Sequence, residues 1–291
     1  MTDRKFRSSE ELGAHHRYWI SPICLILLTI SPLLATEQST ARAWSILEAG
    51  LHDTKTDNRV QAVSALGVMP GNKKAVEMAE HALQDPDLNV CRAAIAALGD
   101  MNSKKSLPKI KALISHSDAK TVMAIAAVLT KFNDPEGNEI YYELLTGKRK
   151  GGGSVLDGIK DRKAVEKMGV ETAIGFVPFG SVGMGAYDYF RRSGSAHSSV
   201  DVTAVTALAN DPDPVVEKAL VQASLDGKGV VQVAALRALA KRGDSNVVKD
   251  IEPAMDSDKS LISYTAAASI LHLQDLRAKP PLRHGRKRAQ G

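Results

Sequence analysis

The feature that most constrains this chain is a pattern that it repeats. An Asp in a turn is followed by Ala nine residues on and by Leu thirteen residues on: Asp53, Ala62 and Leu66; Asp85, Ala94 and Leu98; Asp226, Ala235 and Leu239; Asp258, Ala267 and Leu271. A weaker copy puts His116, Ile125 and Leu129 in the same slots. Within each half the copies recur at about 32 residues, the period of stacked helical hairpins, in which each unit buries its apolar face against its neighbours.

Residues 43–145 read as three such hairpins. The first has helices near 43–50 and 58–66 joined by Asp53 to Asp57, the second spans 74–99 around Asp85-Pro86-Asp87, and the third spans 107–132 around Ser115 to Asp118. Asp side chains in these turns are placed to cap the helices that follow. Gly67 and Gly99 stand where second helices are expected to end in a residue with positive φ. Ala in the recurring slot marks a close helix crossing, where a larger side chain would push the backbones apart. The pattern resumes over 201–275 with a shifted spacing. Turns at Asn210 to Pro214, Asp226 to Gly229 and Arg242 to Asp244 predict three successive helices before a last hairpin over 247–273.

The runs Asp85-Pro86-Asp87-Leu88-Asn89-Val90-Cys91-Arg92-Ala93-Ala94-Ile95-Ala96-Ala97-Leu98-Gly99 and Val230-Val231-Gln232-Val233-Ala234-Ala235-Leu236-Arg237-Ala238-Leu239 resemble HEAT repeats of the short bacterial, phycobilisome-lyase-like kind. The likeness departs where Arg is common in the family, since Cys91 and Gln232 fill that slot, although Arg59 keeps it. The resemblance implies an all-α solenoid, an α-α superhelix of about six hairpins or partial hairpins, used to bind another protein along a long concave face. The repeat subtype alone raises an alternative, a lyase-like protein that handles a cofactor or pigment.

Aromatic residues make up only 4% of the chain, so the core must come from small contacts between close-packed helices. The formal charge of +5 is local: Arg277, Lys279, Arg283, Arg286, Lys287 and Arg288 stand near the C-terminus with no acidic residue after Asp275, which leaves the repeat body slightly acidic. Residues 276–291 therefore read as a disordered basic tail. Arg283, Arg286, Lys287 and Arg288 are its polyanion-contact residues, and nucleic-acid binding through them requires a cytoplasmic location.

Residues 1–35 read as a signal peptide or an N-terminal anchor. Arg4, Lys5, Arg7 and Arg17 precede an apolar run from Ile20 to Leu34. Ala35 is one cleavage point, and Ala41-Arg42-Ala43 offers a second. The run contains Pro22 and Pro32 and falls short of the roughly 20 residues that a spanning helix needs. This segment predicts export to the periplasm or cell envelope, with membrane anchoring if it is not cleaved. Removal of Cys24 with it would leave Cys91 alone, excluding an intrachain disulfide.

Between the halves, 146–200 form a basic hinge, Gly147-Lys148-Arg149-Lys150-Gly151-Gly152-Gly153, followed by an uncharged insertion rich in Gly and Phe. Two readings stand: a bend buried against the solenoid, or an exposed apolar element that docks on a partner or a membrane surface. In the second, Phe176, Phe179, Met184 and Tyr187 are the partner-binding residues.

Catalytic patterns do not form. Gly175 to Gly180 ends in Ser without the Lys of a phosphate loop, and Gly180, Gly183 and Gly185 miss the dinucleotide spacing. The His residues are scattered, and no His-Glu dipeptide occurs in the repeats to build a metal site. Glu139, Glu143 and Glu166 read as a solvated helix face. The sequence thus predicts a non-catalytic scaffold without cofactor or metal, whose partner is another protein.

Overall fold

The computed structural model describes residues 22–114, 118–146 and 198–278, and these are all-α, with no strand among them. In chain order the helices are α1 (Pro22–Leu51), α2 (Thr56–Leu66), α3 (Lys73–Ala82), α4 (Leu88–Asp100), α5 (Leu107–Lys111), α6 (Ala119–Lys131), α7 (Pro135–Thr146), α8 (Ser198–Leu208), α9 (Pro214–Asp226), α10 (Gly229–Arg242), α11 (Val248–Ile251) and α12 (Ser260–Ala278). Single 3-10 turns at Lys104–Ser106, Ser245–Val247 and Glu252–Asp256 extend the short helices α5 and α11. The chain divides into two compact units, 1–38 and 39–291. The described part of the first is the start of α1; everything below concerns the second. None of the described helices is long and apolar enough to cross a membrane.

Some of the turn aspartates cap, whereas α2 and α10 start after Lys55 and Lys228 with no side-chain cap. Asp87 accepts from the Asn89 N–H at 2.8 Å, Asp118 from Lys120 and Thr121 at 2.7 and 3.0 Å, and Asp213 from Val215 at 2.8 Å. Each takes up an N–H that the first helical turn leaves without a partner. His116, in the weak copy's Asp slot, lies outside the described residues. Asp118 caps that helix instead.

The expectation for Gly67 and Gly99 is corrected. Gly67 has φ −58, and the left-handed residue comes later, at Gly71 with φ 78. The chain leaves α2 through buried Val68 and Met69, whose N–H groups bond back to Ala65 and Leu66, so reversal is postponed. Gly99 lies inside α4. The positive φ falls on Asn102 after α4 and on Asn133 after α6. There Ser103 N–H reaches Leu98 O and Asp134 N–H reaches Leu129 O, the long bond of a Schellman ending. Gly99 serves approach rather than termination: a Cβ on it would lie 2.9 Å from Cγ2 of Val128 in α6.

The recurring slots form the core. Ala62, Ala94, Ile125, Ala235 and Ala267 are all 0% exposed, and the five Leu slots are 0 to 2% exposed. Burying each Leu contributes about 1.5 to 3 kcal/mol.

The second helices of the hairpins pack side by side in the order α8, α10, α12, α2, α4, α6. Their first helices lie along them: α9 on α10, α11 with its 3-10 extension on α12, α3 on α4, and α5 on α6, with α7 closing on α6. The order in space is therefore not the order in the chain. The hairpin α11–α12 stacks on the hairpin α1–α2, so the first and last hairpins of the described residues meet in the middle of the row.

That seam is closely fitted. Gly50 admits the Tyr264 ring so tightly that a Cβ there would lie 2.5 Å from its Cζ and 2.8 Å from Cβ of Ala62. Thr40 Oγ1 donates to Gln274 Oε1 at 2.7 Å, Arg42 pairs with Asp256, and Asn72, the cap of α3, bonds Asp275. On the other side of α1, Lys74 pairs with Glu48 at 2.7 Å and lies 4.3 Å over the Trp44 ring.

Candidate functional site

The turns leading into the second helices bring side chains of successive hairpins together along one edge. Arg59, near the start of α2, reaches forward to the next turn, where Nε and Nη2 bond the two Asp85 oxygens at 2.9 and 3.1 Å. The pair is largely buried, 16% and 14% exposed. Burial works against the Asp85 carboxylate, but the Arg59 bonds and the Asp87 N–H overcome it and hold its pKa below the ordinary Asp range. One hairpin on, Arg92 Nη1 bonds Asp118 Oδ2 at 3.0 Å and Thr121 Oγ1 at 3.2 Å, while Nη2 bonds Asn89 Oδ1 at 2.7 Å. The Arg absent from the slot at Cys91 is thus replaced by its neighbour. Cys91 itself is 5% exposed, and burial pushes its thiol pKa up, away from reactivity.

Around the Arg92–Asp118 rung lies a shallow depression of about 520 Å³. The start of α4 contributes Pro86, Asp87, Leu88 and Asn89, and the start of α6 contributes Lys120. Leu88 is 45% exposed although it is a large apolar side chain. An apolar anchor flanked by Asp87 and Lys120, on a floor fixed by capping and by Arg92, can accept a side chain of another protein. Among the described residues no three His, Cys, Asp or Glu gather to hold a metal ion.

The middle of the second-helix row is closed. Residues 264–273 of α12 are buried without a break, and so are 62–69 through α2 and the turn after it. Arg237 of α10 passes the intervening α12 and donates to the Ser64 carbonyl of α2 at 3.1 Å. That carbonyl belongs to the last turn of α2, which favours a cation. Burial pushes the Arg237 pKa down to about 10, and its Nε has no hydrogen-bond partner. A continuous binding face along the second helices is therefore not present at α12 and α2.

Glu143 is also corrected: it is 0% exposed on α7 and does not belong to a solvated face. Glu166 lies outside the described residues. So do Phe176, Phe179, Met184 and Tyr187, and the tail residues Arg283, Arg286, Lys287 and Arg288. Ala43 of the second cleavage motif lies inside α1 and is 0% exposed. The edge depression was missed in the sequence, although Leu88 directly after Asp85-Pro86-Asp87 was its visible sign.

Stacked hairpins with buried second-helix slots, Asp caps on α4 and α6, and Arg–Asp links between their turns define an α-solenoid. Residues 45–130 match the family model for HEAT repeats, and this stretch of the chain carries HEAT repeats. The match ends before α7, whereas α10 and α12 pack in the same row and carry the same buried slots. HEAT repeats generally mediate protein–protein interaction as scaffolds. No curated protein matches the chain.

Proposed function

We propose that the protein is a non-catalytic scaffold that binds another protein in the cell envelope. The observation that carries the binding half of this reading is Leu88, an exposed apolar side chain at the start of α4 that lines the depression beside the Arg92–Asp118 rung. A rigid floor spares a partner the entropy of ordering it. The location rests on the basic and apolar N-terminal segment, Arg4 to Leu34. Phe176, Phe179, Met184 and Tyr187 form a second contact in this reading.

The test is capture from a native envelope extract with the parent, Leu88→Asp, and a Phe176→Ser/Phe179→Ser chain. The reading expects a defined partner with the parent that is lost with at least one variant while the thermal melts stay together. Identical capture by all three chains, or a partner lost only when the melt falls, contradicts it.

A further inference from the structure

Two cleavage positions are compatible with the N-terminal sequence, Ala35 and Ala43, and the fold distinguishes them. The buried stripe of the first helix in this hairpin runs Ser39, Ala43, Leu47 and Gly50, at helical spacing. Ser39 is 7% exposed, and Ala43 and Leu47 are 0% exposed. Thr40 and Arg42 fasten the same turn to Gln274 and Asp256 of the C-terminal hairpin. Immediately before the stripe, Glu37 and Gln38 are exposed, and the compact unit itself begins at Ser39.

We propose that residues 39–43 are a clasp retained in the working protein, and that Ala41-Arg42-Ala43 is not a processing site despite its sequence. Hydrolysis after Ala43 adds water across the Ala43–Trp44 bond and leaves an ammonium group on Trp44. That product lacks the turn of α1 over residues 39–43, the Thr40 hydroxyl that donates to Gln274 Oε1, and the cation opposite Asp256. A new charged terminus also stands where Ala43 was fully buried, and a charge does not stay in such a place without a partner. Any peptidase cut compatible with the fold therefore lies before Ser39. The clasp holds equally for an exported and an unexported chain, so it does not depend on the envelope reading.

Two measurements test it. The intact mass of the protein from its native host should give an N-terminus at or before Ser39, whether the chain is full length or begins at Thr36; a chain beginning at Trp44 overturns the proposal. Independently, purified chains beginning at Thr36 and at Trp44 are compared by thermal melt. The shorter chain should melt at least about 4 °C lower, the shift expected for the loss of a few contacts in a domain of this size. Coincident melts overturn the clasp whatever the cellular location proves to be.

Discussion

Tyr264 lays its ring against Gly50, filling the space that any larger residue at position 50 would need. The contact joins residues from the last and first hairpins of the chain, and it is where the row of helices passes from C-terminal to N-terminal sequence. The requirement for glycine at position 50 is steric.

Gly50→Ala should destabilise the protein by about 1 to 3 kcal/mol, the usual cost of overpacking. Combining it with Tyr264→Ala should cost less than the sum of the two changes, because the second makes room for the first. Urea denaturation of the four chains checks this, and strict additivity would mean that the ring does not occupy that space.

Ala94 is fully buried in the close crossing of α4 with its neighbours. Ala94→Arg must either bury a charge or separate the helices, so a loss of at least about 1 to 3 kcal/mol is expected. An unchanged melting temperature would remove the slot from the core.

Asp85 ties the second hairpin to Arg59 of the first. Asp85→Ala should destabilise by about 1 to 3 kcal/mol, since it leaves the largely buried guanidinium short of its partner. Arg59→Met on top of Asp85→Ala should cost little more, which a double-mutant cycle measures. Full additivity would mean that the two side chains act separately.

Acid should weaken the fold. Asp53 is held below its ordinary pKa by the Lys55 N–H and Asn58, and Asp134 by Lys111. Asp85 and Glu80 are held down against the cost of burial by Arg59 and by Lys109 with Ser106. The unfolded chain thus takes up protons more readily as the pH drops. The stability from these groups is present above the ordinary carboxyl range, about pH 4, and is lost as the pH falls through their lower folded values. Urea midpoints at pH 7 and pH 3 should differ accordingly, and Asp85→Asn should reduce the difference; equal midpoints would contradict the directions assigned.

The repeat was legible because its determinants are local. Asp85, Ala94 and Leu98 each report a turn, a crossing and a core contact within one hairpin, and the helices and the family follow from them. The order of stacking was not legible. Leu66 and Leu271 are equally suited to packing between second helices, so nothing in the slot pattern says that α2 meets α12 as well as α4. Gly50 and Tyr264 carry that information, but only as a pair distant in sequence. Gly99 misled because a glycine near a helix end reads as a terminator, whereas Asn102 supplies the left-handed turn and Gly99 makes room for Val128. The edge site was half visible. Leu88 stood in the pattern, yet its exposure depends on how the α4 and α6 turns sit beside each other.

The permuted row is tested most directly at Thr40 and Gln274, whose side-chain oxygens lie 2.7 Å apart. In a chain with Cys24 and Cys91 replaced, Thr40→Cys and Gln274→Cys should be joined within one molecule by a short bifunctional thiol reagent, and peptide mass mapping should show the link. A monomeric, folded chain in which both thiols react but never become joined would contradict the stacking of the last hairpin on the first.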